Sequence, residues 1–210
     1  TLLVMLDFSI ASGFLRTNNR IIVNEKNEKV ILKGFGLGGW TVLEGYMWNA
    51  FIEHASTTNL ENAIEDLIGI EKKEQFFNLY QKNYITEKDI VFLAEKGFNA
   101  LRIPLHYKHF SPSPNVFTNK GFDLLDPIVE LCKENNIYLI LDMHAAPGAQ
   151  NTNDFSDSDG ETAKLFTQYE NQIWLASTWR YIAEHYADEP IIAAYDLLNE
   201  PVIPWGYGPE

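Results

Sequence analysis

The feature that most constrains the fold is a repeated alternation of helical patterns with short apolar segments that end in polar residues. The apolar segments are residues 98–104, 137–144 and 191–198, and a stretch with apolar side chains at helical spacing precedes each of them. Nearly continuous apolar strands are typical of parallel sheets that are buried on both faces. Alternating strands and helices are joined by right-handed crossovers, so the chain is predicted to be an α/β protein.

The N-terminal third carries different signals. Residues 20–23 and 29–32 are β-branched runs on either side of a polar turn, which predicts a β-hairpin. Four glycines within residues 34–39 indicate a close approach of the backbone or positive φ angles. Residues 49–85 have helical spacing and are predicted to be a helix-rich insertion.

The strand ends are expected to converge on one face, as in an eight-stranded β/α barrel. Such (β/α)8 TIM barrels need about 250 residues, and this chain has 210 residues. We therefore expect residues 14–210 to be the N-terminal part of a barrel domain, about the first four β/α units, behind an N-terminal β-hairpin. An open doubly wound sheet is disfavoured, because no phosphate-binding glycine turn leads from the first strand directly into a helix.

Composition excludes several classes of function. The formal net charge of −13 argues against nucleic acid and against anionic membrane surfaces as partners. The single cysteine, Cys132, is predicted to be a core residue, and no cofactor is expected. The histidines are scattered, so no metal site is predicted, and no phosphate-binding loop motif is present.

Residues 1–13 resemble the tail of a secretory signal, since an apolar run is followed by small residues. Asp7 interrupts the run and no basic segment precedes it, so an N-terminal strand or a disordered leader is the alternative. The run is too short to span a membrane. The leader predicts a secreted or extracytoplasmic protein.

The candidate functional residues lie at the predicted strand ends, where β/α barrels carry their catalytic groups. Proline ends the last strand after Asn199 and Glu200, which fixes a carboxylate and an amide at its tip. The residues expected to face one pocket are Arg102, His144, Asn199 and Glu200, with Glu44 and Tyr46 at its side. No serine or cysteine nucleophile lies beside a base, so carboxylate acid/base chemistry on a hydroxyl-rich substrate remains, and glycoside hydrolysis fits it.

Three ordered motifs resemble glycoside hydrolase family 5, the family of cellulases and exo-β-1,3-glucanases. The motifs are LRIP at 101–104, LDMHAAPG at 141–148 and DLLNEP at 196–201, and the resemblance covers roughly residues 20–204. The Gly-Gly-Trp sequence and the EGY sequence at 44–46 are more similar to the branch that includes fungal exo-β-1,3-glucanases. The resemblance implies a TIM barrel that acts on an oligo- or polysaccharide, with β-1,3-glucan favoured.

The resemblance also implies individual roles. Glu200 would be the acid/base of a retaining double displacement, and Asn199 would bind the 2-hydroxyl of the sugar. Arg102 would hold the nucleophilic carboxylate and keep it ionised, whereas His144 would contact the substrate or support the pocket. The residues expected to bind substrate are Glu44 and Tyr46 with the terminal glucose, then Trp40, Asn151, Asp157 and Asp159. Asp142 is interpreted as structural.

The resemblance leaves one part of the mechanism outside the chain. In this family the nucleophilic glutamate lies on a late strand, and no second glutamate motif of that kind occurs before Glu210. We therefore expect the parent protein to be the enzyme, and this chain to be inactive without the C-terminal half of its barrel. The loop 150–159 departs from the fungal exo-enzymes in length and detail, which leaves linkage and exo-action open. The alternatives are a non-catalytic glycan-binding protein on the same scaffold and an endo-β-1,4-glucanase or mannanase.

Overall fold

A computed structural model describes residues 13–50 and 52–207, so residues 1–12 of the predicted leader lie outside the described residues. The first sheet is antiparallel and consists of β1 (Arg16–Asn18), β2 (Ile21–Val23) and β3 (Lys29–Val30). β2 pairs with β3, which confirms the predicted hairpin. β1 adds a third strand that the sequence patterns did not predict.

The second sheet is parallel and carries the candidate functional residues. Its strands are β4 (Gly34–Gly36), β5 (Ala100–His106), β6 (Tyr138–Ala145) and β7 (Ile192–Asp196), in the spatial order β4-β5-β6-β7. The strands pair in sequence order and in parallel, which confirms the predicted α/β class.

The helices fill the connections between these strands. They are α1 (Thr57–Ile68), α2 (Ile70–Tyr84), α3 (Glu87–Glu95), α4 (Lys120–Glu134), α5 (Lys164–Thr167) and α6 (Tyr169–His185). α1 and α2 form the predicted insertion between β4 and α3. Thr86 and Asp89 make a capping box at the start of α3, in which each side chain satisfies a backbone donor of the first turn.

The core lies between the parallel sheet and the helices. Alternate side chains of β5 and β6 face it with at most 1% exposure, namely Leu101, Ile103, Leu105, Leu139, Leu141 and Met143. Burying one such side chain stabilises the fold by roughly 1.5–3 kcal/mol. Cys132 of α4 is fully buried in the same core, as predicted. Because side chains alternate along a strand, Arg102, Asp142 and His144 project from the opposite face of the sheet.

Close packing of β4 against β5 requires a glycine. A Cβ atom on Gly34 would lie 1.8 Å from the carbonyl oxygen of Ala100, so a larger residue would separate the two strands. Within the described residues, β4 and β7 each pair on one side only and form the two edges of the sheet. A closed barrel has no such edges, so the sheet has the arrangement of a truncated barrel. No described helix is both long and apolar enough to cross a lipid bilayer.

Candidate active site

A cavity of about 420 Å³ lies at the carboxyl ends of the parallel strands. We call it the active cavity. The predicted site residues that line it are Glu44, Tyr46, Arg102, His144, Asn199 and Glu200. They come from β5, β6 and the segments that follow β4 and β7, as the strand-end argument expected.

Arg102 is the centre of the polar contacts in this cavity. Its Nε and Nη2 atoms donate to Oδ2 of Asp196 at 3.0 and 2.8 Å, and Nη2 also donates to Oδ1 of Asn199 at 2.8 Å. Nη2 lies 3.1 Å from Oδ2 of Asp142. An inward-facing arginine needs a carboxylate partner, and the chain supplies two, Asp142 and Asp196. Asp196 was not among the predicted site residues.

Asp142 and His144 complete a ring of polar contacts, which we call the Arg102 network: Arg102, Asp142, His144 and Asn199. Nδ1 of His144 donates to Oδ2 of Asp142 at 2.7 Å, which leaves Nε2 as an acceptor 3.4 Å from Nδ2 of Asn199. Asp142 is fully buried, and its Oδ1 has no hydrogen-bond partner among the described residues. Burial raises the pKa of Asp142, although His144 and Arg102 act in the opposite direction.

Glu200 occupies a strained position at the mouth of the active cavity. Its φ angle of +45° lies in the left-handed region, which costs a residue with a side chain about 1–3 kcal/mol. The preceding backbone is fixed, since the amide of Asn199 donates to the carbonyl of Met143 at 3.0 Å. Glu200 itself is exposed, so its carboxylate is accessible from solvent.

Glu44 and Tyr46 form one side of the active cavity. Glu44 is only 8% exposed, and a Cβ atom on Gly38 would lie 2.7 Å from its Oε1, so a glycine there makes room for the carboxylate. A hydrogen bond to Glu44, together with the charge of Glu44, raises the pKa of Tyr46. Tyr46 is 76% exposed and presents its ring to solvent at the cavity edge.

Two residues that were predicted to contact substrate, Trp40 and Asn151, do not line the active cavity. Trp40 is 2% exposed in the core, where its Nε1 donates to the carbonyl of Gln81 at 2.9 Å. The tryptophan therefore packs beneath the loop and has no face to offer a sugar, which corrects its prediction as a contact residue. Asn151 is 1% exposed and donates from Nδ2 to the carbonyl oxygen of Glu200 at 2.9 Å. Its amide is used inside the protein, and it lies behind Glu200.

Asp157 and Asp159 line a separate cavity of about 260 Å³ beside the start of α1. Asp157 accepts from the backbone amide and the hydroxyl of Thr58, both at 2.7 Å, and from Nζ of Lys108 at 2.8 Å. Nε2 of His106 is 3.0 Å away. Asp159 pairs with Lys164 at the surface. We call Thr58, His106, Lys108 and Asp157 the Asp157 cluster; its contacts make Asp157 part of the loop structure, outside the active cavity.

The contacts of Asp157 with His106 and Lys108 lower its pKa. Burial alone raises this pKa, but the hydrogen bond and charge of His106 and the charge of Lys108 outweigh burial and lower it well below its usual range. The side chain of Asp157 is 4% exposed, whereas that of Lys108 is 41% exposed. The same contact with Asp157 raises the pKa of Lys108 against the effect of its own burial.

The sequence patterns missed one residue that lines the active cavity, Phe155, and one that binds Arg102, Asp196. Phe155 lines it, with its ring centroid 5.8 Å from that of His144. The signal was an isolated aromatic residue inside a polar loop. Asp196 is the register partner of Asp142 on the neighbouring strand, which brings both carboxylates to Arg102. The signal was a single acidic residue within the apolar run of β7.

The fold and site define a β/α-barrel protein with a carboxylate in the turn after its fourth parallel strand. The sequence model of Cellulase (glycosyl hydrolase family 5) matches residues 53–205. The chain therefore belongs to glycosyl hydrolase family 5, and its resemblance to this family is confirmed. In the described part of the chain, no group of three or more His, Cys, Asp or Glu side chains is arranged to hold a metal ion.

Similar proteins cover the chain almost completely. A "Beta-xylosidase" of Phanerodontia chrysosporium is 36% identical over 92% of this chain and 40% of its own length. A "Probable glucan 1,3-beta-glucosidase A" of Aspergillus clavatus is 27% identical over 91% of this chain and 46% of its own length. The crystal structure of a rutinosidase from Aspergillus niger has a TM-score of 0.67 at 21% identity, over 80% of this chain and 48% of the other, which shows the shared fold. The chain thus spans less than half the length of these relatives.

Proposed function

We propose that the complete protein containing this chain hydrolyses β-glucosidic bonds of a β-glucan with retention of configuration. The observation that carries the proposal is the position of Glu200, an exposed carboxylate in the turn after β7, beside Asn199 and above Arg102 in one cavity. Membership of a glycosidase family supports it. In this mechanism Glu200 protonates the leaving oxygen and later activates water.

Asn199 is oriented for a hydroxyl group of the sugar. Arg102 occupies its Oδ1, so the Nδ2 end of the amide faces His144 across a long contact of 3.4 Å. Such a contact is weak, and a sugar hydroxyl can replace or extend it. We assign Nδ2 of Asn199 to the 2-hydroxyl of the sugar, because hydrogen bonds to that hydroxyl strengthen in the transition state.

We further propose that the second carboxylate comes from a part of the protein beyond residue 210. Retention needs a nucleophilic carboxylate about 5–5.5 Å from the acid/base. Arg102 is placed to hold it, since 30% of its side chain is still accessible beside the cavity. The two sheet edges within the described residues leave room for further strands, and relatives of this chain are more than twice as long. The 210-residue chain alone is then inactive.

The substrate class follows from the binding side of the cavity. The Glu44 carboxylate is nearly buried and can accept from two adjacent sugar hydroxyls, and the exposed ring of Tyr46 can stack on a sugar face. We favour a β-1,3-glucan on the EGY motif and the similarity to a glucan 1,3-beta-glucosidase. The higher identity to a beta-xylosidase makes a β-xyloside the second candidate. Because polymers do not cross membranes, we propose an extracytoplasmic site of action.

The proposal is tested with the complete open reading frame that contains this chain. Purified protein is incubated with β-1,3-, β-1,4-, manno- and xylo-oligosaccharides, the products are separated, and NMR follows the anomer that is released first. We expect single glucose units of the β-configuration from the β-1,3 series. We expect Glu200→Gln to lower kcat/KM by about 10²–10⁴-fold, the usual contribution of general acid catalysis.

The alternatives give different results in the same experiment. Mixed fragments from β-1,4-glucan or mannan indicate an endo-enzyme. Release of xylose alone indicates that the substrate is a β-xyloside. Binding without hydrolysis, in a protein that lacks a downstream strand-end glutamate, indicates a non-catalytic glycan-binding protein. An active Glu200→Gln variant, with an unchanged rate on the natural substrate, would show that Glu200 is not the acid/base.

A further inference from the structure

Gln150 joins the two strand ends that carry the candidate catalytic groups. Its side chain is fully buried, and Nε2 donates to the carbonyl of His144 at 2.6 Å and to the carbonyl of Asn199 at 3.0 Å. Oε1 accepts from the backbone amide of Ala146 at 3.2 Å. The amide therefore bridges the end of β6 and the turn after β7, and it fixes the distance between them.

Asn151, the next residue, holds Glu200 itself. Its Nδ2 donates to the carbonyl of Glu200 at 2.9 Å, and its Oδ1 accepts from the backbone amide of Asn153 at 2.9 Å. The amide of Val202 donates to the carbonyl of Gln150 at 2.9 Å. The turn from Asn199 to Val202 is thus attached to residues 150 and 151 at three points, namely residues 199, 200 and 202.

These attachments matter because the turn is strained. Glu200 has a φ angle of +45°, and a residue with a side chain keeps such a conformation only when its surroundings hold it there. The backbone conformation sets the direction of the Cα–Cβ bond and hence the position of the carboxylate. Without the two amides the turn can relax to an extended conformation, which moves the carboxylate away from its place in the active cavity.

We propose that Gln150 and Asn151 are positioning residues that hold Glu200 and Asn199 in catalytic geometry. Neither amide touches the active cavity, since both side chains are buried behind it. Gln150 fixes both strand tips, whereas Asn151 acts on Glu200 alone. This inference rests on the proposed function, because it assumes that Glu200 protonates a leaving group.

The test compares two glycosides of the same sugar in the complete protein. A dinitrophenyl group leaves without protonation, whereas an alkyl or sugar leaving group needs the acid. A displaced Glu200 therefore slows the second substrate selectively, and a general loss of structure slows both. The variants are Asn151→Asp, which keeps the size and the acceptor but loses the donor, and Gln150→Met, which keeps the volume and loses all three hydrogen bonds. Asn151→Ala serves as a second variant at that position.

A matched control exists at the opposite end of the barrel. Nδ2 of Asn135 donates to the carbonyl of Leu131 at 2.8 Å at the end of α4, so it is also an amide that holds a backbone carbonyl. Asn135→Ala should leave the ratio of kcat/KM between the two glycosides unchanged. It measures how much the loss of one such hydrogen bond disturbs the enzyme in general.

We expect Asn151→Asp to lower kcat/KM for the poor leaving group by about 10–100-fold, which is the cost of a misplaced catalytic group, and to change the dinitrophenyl substrate little. Gln150→Met should lower both values, because Asn199 also moves, with the larger loss on the poor leaving group. Equal losses on the two substrates, or the ratio seen in Asn135→Ala, would overturn the inference. If Asn151→Asp does not fold, Asn151→Ala decides by the same ratio.

Glu200→Gln separates the two proposals. If it slows the poor leaving group selectively while the amide variants do not, the proposed function stands and the positioning role fails. If it affects neither substrate, or the complete protein cleaves no glycoside, both proposals fail.

Discussion

Two clusters of the same residue types lie at the same end of the sheet, and they differ in how their aspartate is bound. Each combines a cation, a histidine and an aspartate: Arg102, His144 and Asp142 in the Arg102 network, and Lys108, His106 and Asp157 in the Asp157 cluster. Asp142 has an oxygen without a partner among the described residues and a raised pKa. Asp157 accepts several hydrogen bonds and has a lowered pKa.

The difference arises from where each aspartate stands. Asp142 is inside β6, between two strands whose backbone donors are used by the sheet, so only side chains can reach it. Asp157 is in a loop and takes the free backbone amide of Thr58 at the start of α1. A carboxylate with every acceptor used inside the protein is structural. In the Arg102 network the Arg102 side chain stays 30% accessible, so a ligand can add contacts there.

The largest expected effect on stability comes from removing the cation of the Arg102 network, with the cation of the Asp157 cluster as the comparison. Arg102→Met leaves Asp142, which is fully buried, without its positive partner, and we expect the free energy of unfolding to fall by about 3 kcal/mol. Lys108→Met removes a cation whose side chain is 41% exposed, so solvent screening limits the loss to about 1 kcal/mol. Denaturant unfolding of the complete protein measures both. Equal losses would contradict the distinction between the two clusters.

The next expected effect is a loss of stability without a loss of activity, caused by a substitution of Asp157. Asp157→Asn should lower the free energy of unfolding by about 1–3 kcal/mol, because the donors of Thr58 and Lys108 lose a charged acceptor whose side chain is only 4% exposed. The folded fraction should keep its kcat/KM. Asp159→Asn is the control, since its ion pair with Lys164 is at the surface, where solvent screening leaves it little effect on stability. A loss of substrate affinity at full stability would instead restore Asp157 as a binding residue.

The two aspartates should also give opposite pH dependences of stability. An unfolded aspartate has a pKa of about 3.9. The folded pKa of Asp157 is lower, so its stabilisation is present above about pH 4 and is lost as the pH falls further. The folded pKa of Asp142 is higher, so its ionisation costs stability at neutral pH, and that cost disappears as the pH falls through its folded pKa.

Unfolding curves of Asp157→Asn and Asp142→Asn between pH 3 and pH 7 check these signs. The deficit of Asp157→Asn relative to the unmodified protein should shrink as the pH falls. For Asp142→Asn, the free energy of unfolding of the unmodified protein should rise relative to that of the variant as the pH falls over the same range. Slopes of the same sign for both variants would show that the two carboxylates are not in opposite environments.

Sequence patterns were sufficient for the strand-end part of the site and insufficient for the loop part. Strand periodicity places Arg102 and His144 at the carboxyl ends on the inner face. The proline after Glu200 does not mark the end of β7, which stops at Asp196, so Asn199 and Glu200 lie in the turn that follows the strand. Loops have no such period. Trp40 follows two glycines, and the sequence pattern does not show whether such a tryptophan packs in the core or faces solvent. The burial of Trp40 depends on helix α2, which lies far along the chain.

The same limit applies to the polar loop after β6. Its amides and carboxylates suggested substrate contacts, yet Asn151 binds a backbone carbonyl 49 positions away, and Asp157 binds residues of α1 and the β5 end. A polar side chain in a loop satisfies whichever donor or acceptor the tertiary fold brings to it. Sequence composition identifies the capacity for hydrogen bonding, and only the fold decides whether the partner is protein or ligand.

The smallest expected effect tests whether the active cavity alone binds substrate. Tyr46→Phe removes a hydroxyl at the exposed edge of the active cavity, and Tyr107→Phe removes one beside the Asp157 cluster. One hydrogen bond is worth about 0.5–1.5 kcal/mol, so Tyr46→Phe should raise KM about 3- to 10-fold with little change in kcat. Tyr107→Phe should leave KM unchanged. If Tyr107→Phe raised KM as much as Tyr46→Phe, the cavity beside the Asp157 cluster would be a second sugar subsite, and the two regions would not differ in kind.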